Sequence, residues 1–329
     1  MGAGGGIALR QGRNSSSCQT IVQLIHVASM KLDRSSIFGG GVICLLWWLS
    51  IASTASAETQ TDLEFGRPDG VPLTLDATLV EGKGPFPTIV FVHGGGFTGG
   101  DKKGYPKPIY QKLTAAGFNW FSVNYRLSPK YAFPAHTDDV ESAVSFIKTN
   151  AQRFKVDVNR IVLMGPSAGG HLVSFVGAKH KSENRVAAVV SMFGEHDLIN
   201  RTKPQTDCAI GGSLRHTDSP ETCLSDGLKA FLGIAQVSPA TASILHDASP
   251  VSYVKKGMPP YLLLHGTKDF HVPYEQSVLM RDAMRKAGVP CELITIEGGG
   301  HGGWDNNPSF STYQDQLLRW LKQTLRLKT

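Results

Sequence analysis

The chain is predicted to fold as an α/β domain, with a mostly parallel central sheet covered by helices on both faces. Three observations carry this prediction. Short runs such as residues 87–92, 160–164 and 261–265 are almost wholly apolar, as expected of strands buried on both faces. Stretches with helical periodicity alternate with them, the pattern of parallel strands joined by crossover helices. Finally, Gly165-Pro166-Ser167-Ala168-Gly169 stands where one such strand meets one such helix, and small residues there permit a turn that pushes the serine hydroxyl out of the backbone.

The elements follow in order. Residues 73–79 alternate as a strand and 87–92 form a short apolar one. Residues 107–116 read as a helix stopped by Gly117, and 119–124 as a strand. Residues 137–153 form an amphipathic helix with Val140, Ala143, Val144, Phe146 and Ile147 near one face and Thr137 as its N-cap. The strand 160–164 leads into the serine turn and a helix from Gly170 to about Lys181. Strands at 186–192 and 261–265, a helix at 274–287, the strand Cys291–Ile296 and a closing helix at 313–325 complete the series. Residues 193–249 break the alternation with mixed, partly polar sequence. That is too long for an ordinary connection, so it is read as a lid-like insertion after strand 186–192, over the active face.

Composition is that of a globular protein: 329 residues, 41% apolar and 18% charged. Four of the 33 Lys/Arg and one of the 27 Asp/Glu lie in residues 1–57, so residues 58–329 carry a net +3 rather than the whole chain's +6. With no dense basic run, nucleic acid is not an expected partner. The N-terminus reads as a targeting segment. Met30-Lys31-Leu32-Asp33-Arg34 supplies a basic start, residues 37–52 an uncharged apolar stretch, and Ala55-Ser56-Ala57 a cleavage site before Glu58. The apolar stretch is shorter than the roughly 20 residues a spanning helix needs, so no stable membrane insertion is expected after cleavage. Residues 1–29 lack this logic, which points to Met30 as the start. The expected organisation is thus an N-terminal extension with signal peptide over residues 1–57 and one catalytic domain over 58–329, in a secreted or periplasmic protein. Cys208 and Cys223 share one irregular polar region and are expected to pair in an exported chain, a closure that stabilises by about 3 kcal/mol in the chain-entropy model. Cys291 lies in an apolar strand and reads as a buried thiol.

A serine hydroxyl needs a base, the base needs an orienting acid, and the oxyanion formed on attack needs donors. Each has a candidate. His93-Gly94-Gly95-Gly96-Phe97 directly follows strand 87–92, and consecutive glycines there can turn backbone N–H groups toward a substrate carbonyl. Asp269 follows a buried strand in Leu263-Leu264-His265-Gly266-Thr267-Lys268-Asp269, at the strand end where such sheets bind ligands. Asp197, in Gly194-Glu195-His196-Asp197, is the competing acid. His301 sits among glycines after the last strand, in Gly298-Gly299-Gly300-His301-Gly302-Gly303. His265 and His271 flank Asp269, but no spaced carboxylate or cysteine set completes a metal site. Arg126 and Asp139 read as a structural ion pair. Trp304 is a candidate for either the substrate pocket or the packing beneath it.

These stretches, with Asn124-Tyr125-Arg126-Leu127-Ser128-Pro129 and Phe133-Pro134-Ala135, resemble the α/β-hydrolase esterases over about residues 70–325. The resemblance is to hormone-sensitive-lipase-like esterases and to bacterial feruloyl and acetyl-xylan esterases. Pro166 stands where the first group usually has aspartate, and that group's large N-terminal helical cap is missing, which favours the carbohydrate-ester branch. The resemblance implies an α/β-hydrolase fold with Ser167 as nucleophile, His301 as base and Asp269 as its orienting acid. It also implies an oxyanion hole of Gly95, Gly96 and Ala168 N–H groups, no cofactor, and a small-molecule or carbohydrate ester as substrate. The order Ser167, Asp269, His301 is that of these hydrolases. The alternative is a prolyl-oligopeptidase-like serine peptidase, which shares the fold and triad order. Its usual N-terminal β-propeller has no room in the residues between Glu58 and Gly70.

Overall fold

The computed structural model describes residues 57–179, 182–203, 208–210, 213–215, 224–307 and 312–328. The strands are β1 (Ala57–Gly66), β2 (Leu73–Val80), β3 (Phe86–Val92), β4 (Asn119–Val123), β5 (Val156–Pro166), β6 (Ala188–Met192), β7 (Cys208–Ile210), β8 (Ser213–Arg215), β9 (Tyr261–Gly266) and β10 (Cys291–Ile296). The helices are α1 (Lys107–Ala115), α2 (Ala135–Thr149), α3 (Ala151–Phe154), α4 (Ala168–Lys179), α5 (Asp226–Leu232), α6 (Ala242–Asp247), α7 (Glu275–Lys286) and α8 (Thr312–Thr324). Eight strands form one sheet in the order β1-β2-β4-β3-β5-β6-β9-β10. β2 is antiparallel to both its neighbours, and every pair from β4 to β10 in that order is parallel. This is the α/β-hydrolase fold that the sequence predicts.

Strand periodicity explains the two layers. In β3, Val90 and Val92 face one core while Ile89 and Phe91 face the other, because successive side chains leave opposite faces of a strand. The first core takes Val140, Ala143 and Val144 from α2, Leu172 and Val176 from α4, and Met280 and Met284 from α7. The second takes Ile109 and Leu113 from α1, and Leu317 and Leu321 from α8. Interior strands have no solvent face, so they read as continuous apolar runs rather than alternating ones.

The structure corrects the reading locally. β1 carries no strand signal in the sequence: it is an edge strand with every residue exposed or half-buried. The helix expected over 137–153 is α2 plus a separate turn, α3, with Asn150 between them. Thr137 is not its N-cap. The helix begins two residues earlier, after Pro134, and the Thr137 hydroxyl donates back to the Pro134 carbonyl at 2.7 Å. The described part of 193–249 holds α5, α6 and a two-stranded ribbon of β7 and β8. Residues 1–56, with the expected leader, and Cys223, with the expected disulfide, lie outside the described residues. Cys291 is a buried free thiol, and burial pushes it up to about 12. Among the described residues no helix is long and apolar enough to cross a membrane.

Candidate active site

β5 ends at Pro166 and α4 begins at Ala168, leaving Ser167 alone in the turn with φ of 54°. A non-glycine residue in that region is strained. The turn is held from both sides: Ser167 N–H donates to Met192 O at 2.8 Å, and His171 N–H donates to Ser167 O at 3.0 Å. Gly169 permits the close fit, because a Cβ there would lie 2.0 Å from the Val92 carbonyl.

The Ser167 hydroxyl lies 2.9 Å from His301 Nε2, and His301 Nδ1 lies 2.7 Å from Asp269 Oδ2. An ionised carboxylate only accepts, so the proton sits on Nδ1 and Nε2 is free to accept from the serine. The Asp269 side chain is fully buried. Its other oxygen accepts from the His271 and Val272 N–H groups at 2.9 and 3.0 Å. His265 adds a contact from Nε2 at 3.3 Å, while that nitrogen donates to Val272 O at 2.9 Å and Nδ1 accepts from Ser277 at 2.7 Å. Burial works against the charge on Asp269, but the hydrogen bonds from His265, His301 and the Val272 backbone outweigh it and hold the carboxyl well below its ordinary range.

The loop after β3 approaches the same point. Gly95 and Gly96 have φ of 119° and 60°, and a Cβ on Gly95 would meet the Gly99 carbonyl at 2.2 Å. The Gly95 carbonyl accepts from Thr98 and Gly99 N–H groups at 3.2 and 3.1 Å, so the turn closes without using the N–H groups of Gly95 and Gly96. His93 anchors the loop, stacking on Tyr125 at 4.3 Å, while the Tyr125 hydroxyl donates to His93 O at 3.1 Å. Gly95, Gly96, Ser167, Ala168 and His301 all line one cleft of about 650 Å³. Three non-glycine residues with positive φ, Phe97, Ser167 and Phe193, also border it.

The remaining candidates separate. Asp197 does not reach the histidine; its carboxylate accepts from Asn200 N–H at 2.9 Å. Arg126 and Asp139 form the expected structural pair, with Nη2 to Oδ1 at 2.7 Å and Nε to Oδ2 at 2.9 Å. Trp304 is 3% exposed, donates to Gly300 O at 3.0 Å and packs on Phe193 and Tyr313; it supports the His301 loop from below and is absent from the cleft wall. From the segment 193–249, Ser225, Gly227 and Leu228 join that wall. Glu195 in the cleft wall and His265 behind Asp269 are site residues that the sequence does not announce. Glu195 is hidden in the stretch where only Asp197 was considered, and its partner Arg201 lies in the irregular region. His265 was weighed only as a metal ligand, although its i, i+4 spacing from Asp269 on a strand end was a signal for a shared hydrogen bond.

Comparison with known proteins bears on the family and the fold. The BD-FAE family model matches residues 75–284. Esterase LipC of Mycobacterium tuberculosis is 27% identical over 66% of this chain and 53% of its own. Isoprenylcysteine alpha-carbonyl methylesterase ICME of Arabidopsis thaliana is 24% identical over 65% of this chain and 50% of its own. The chain thus spans about half the length of these curated relatives. Among solved structures, a truncated carbohydrate esterase from gut microbiota is 25% identical with a TM-score of 0.65, covering 84% of this chain and 98% of that one. An acetyl ester-xyloside bifunctional hydrolase from Caldicellulosiruptor lactoaceticus shares the fold, with a TM-score of 0.66 at 23% identity over 85% of this chain and 100% of that one.

Proposed function

The chain belongs to the BD-FAE family of α/β-hydrolase esterases, and from that premise we propose that it hydrolyses carboxylic esters through a Ser167 acyl-enzyme. The observation that carries this reading is the continuous relay from Ser167 Oγ through His301 to Asp269, at 2.9 and 2.7 Å. Ser167 attacks the ester carbonyl while His301 Nε2 takes its proton. Asp269 keeps the imidazole in the Nδ1–H tautomer and stabilises the imidazolium that forms. The N–H groups of Gly95, Gly96 and Ala168 receive the oxyanion, with the positive end of α4 behind them. His301 then protonates the leaving alcohol, and water activated by the same base releases the acid. No step calls for a cofactor.

The carbohydrate esterase among the solved structures supports the substrate class proposed here, acetyl or feruloyl esters of polysaccharide. An exported enzyme suits such a substrate, with the leader ending at Ala57, the catalytic domain over 58–329 and residues 193–249 as an insertion bordering the cleft. Purified wild-type chain is expected to release p-nitrophenol from p-nitrophenyl acetate and acetate from acetylated xylo-oligosaccharide. Ser167→Ala is expected to lose both by at least about 10³-fold. Undiminished turnover in the variant would refute the assignment.

A further inference from the structure

Glu195, on the wall of the cleft that holds Ser167, forms a buried ion pair with Arg201. Glu195 is 6% and Arg201 3% exposed, yet Glu195 borders the cleft. Arg201 Nε–H donates to Glu195 Oε1 at 3.2 Å; it lies 3.1 Å from Oε2, but Oε2 accepts no hydrogen bond. A buried carboxylate oxygen without a donor is uncommon in native proteins, and on the wall of a binding cleft the natural donor is a group the ligand brings.

The surroundings hold this carboxylate in place. Glu195 O accepts from His171 Nδ1 at 3.0 Å, and the next two backbone N–H groups, of His196 and Asp197, donate to the buried Gln276 side chain at 2.9 and 2.8 Å. The segment is therefore pre-organised rather than adaptable. It also stands on the His301 side of the cleft. Arg201 Nη2 donates to His271 O at 3.3 Å, and the His271 ring lies 5.0 Å from the His301 ring. Phe193, two residues before Glu195, lies 4.7 Å from the same ring. In the proposed mechanism His301 hands its proton to the leaving oxygen, so the alcohol half of the substrate departs on the His301 side of the cleft, beside this wall.

We propose that Glu195 is a specificity-determining residue, whose carboxylate accepts a hydrogen bond from a hydroxyl on the alcohol half of the substrate and so selects esters of polyols over esters of simple alcohols. The inference rests on the serine-esterase reading above and narrows its substrate class. Burial keeps the Glu195 carboxyl above its ordinary range, with Arg201 opposing. An ester of a plain alcohol leaves Oε2 unpartnered in the complex as well, whereas a polyol ester supplies the missing O–H.

The test compares wild type, Glu195→Gln and Glu195→Asp on three esters: glycerol monoacetate, ethyl acetate and ethyl lactate. Gln keeps the shape and removes the charge; Asp keeps the charge and withdraws it from the cleft. Both variants are expected to lower kcat/KM for glycerol monoacetate by roughly 10- to 100-fold, mainly through KM. Turnover of ethyl acetate and ethyl lactate is expected to stay within about twofold, which also reports correct folding. An equal fall on all three esters would make the pair purely structural and overturn the proposal. So would unchanged glycerol monoacetate kinetics, or a loss confined to ethyl lactate, which carries its hydroxyl on the acyl half. Wild-type chain inert to all three esters would defeat the underlying esterase reading instead.

Discussion

Ser167 occupies a strained backbone position because two hydrogen bonds and the close packing of Gly169 under Val92 leave it no other. His301, its proposed base, is held by a carboxylate with no solvent exposure and with donors on both oxygens. At this scale the sharpest consequence concerns tautomers. Asp269→Asn places an amide against His301, which can then present Nδ1 as the acceptor and turn its proton toward the serine. Ester turnover is expected to fall by roughly 10³- to 10⁴-fold with the thermal midpoint little changed. A loss below about tenfold would show that Asp269 does not orient the base. The candidate triad was legible in the sequence because each member follows an apolar strand, Ser167 and His301 among glycines and Asp269 shortly after Gly266. Glu195 was not, since nothing in a linear reading brings it against Arg201.

Among elements, α2 shows how support for the site is built. Its Asp139, 2% exposed at the side chain, holds Arg126 on the segment after β4, and Arg126 also reaches the exposed Asp69. The same segment carries Tyr125, which anchors the glycine loop after β3 through His93. Removing one partner of a buried pair leaves an uncompensated charge, a cost of about 3–5 kcal/mol. Arg126→Met is therefore expected to lower the thermal midpoint by on the order of 10 °C, and adding Asp139→Leu to recover part of the loss. A shift under about 2 °C for the single variant would mean the pair contributes little. The interior strands were legible because they have no polar face. β1 was not, because an edge strand shares its exposed pattern with a loop. The start of α2 was misplaced because Thr137 resembles a cap, while Pro134 fixes the entry two residues earlier.

For the whole molecule, three buried histidines beneath the serine turn tie folding to pH. Burial, aided for His136 by the Arg126 charge and for His196 by neighbouring imidazoles, lowers His136 to about 4 and His171 and His196 to about 3. The unfolded chain titrates near 6.5, so below that pH it binds protons that the folded state does not. Their stabilisation is complete above about pH 6.5 and is lost as pH falls toward 4, by up to about 1.4 kcal/mol per pH unit for each proton difference. Asp269 acts in the same direction at lower pH, and the raised carboxyl of Glu195 opposes it as a single group. The thermal midpoint is expected to be flat from pH 8 to 7 and to drop steeply between pH 6 and 4.5. A midpoint level down to pH 4.5 would contradict this burial.

Ser167 as an activated nucleophile is tested most directly by covalent labelling. Wild-type chain treated with a fluorophosphonate should gain one adduct per molecule, mapped by peptide mass spectrometry to the segment containing Ser167, in step with loss of p-nitrophenyl acetate turnover. Ser167→Ala should gain none. Full ester turnover persisting without an adduct, or an adduct on another residue that tracks the loss of activity, would contradict it.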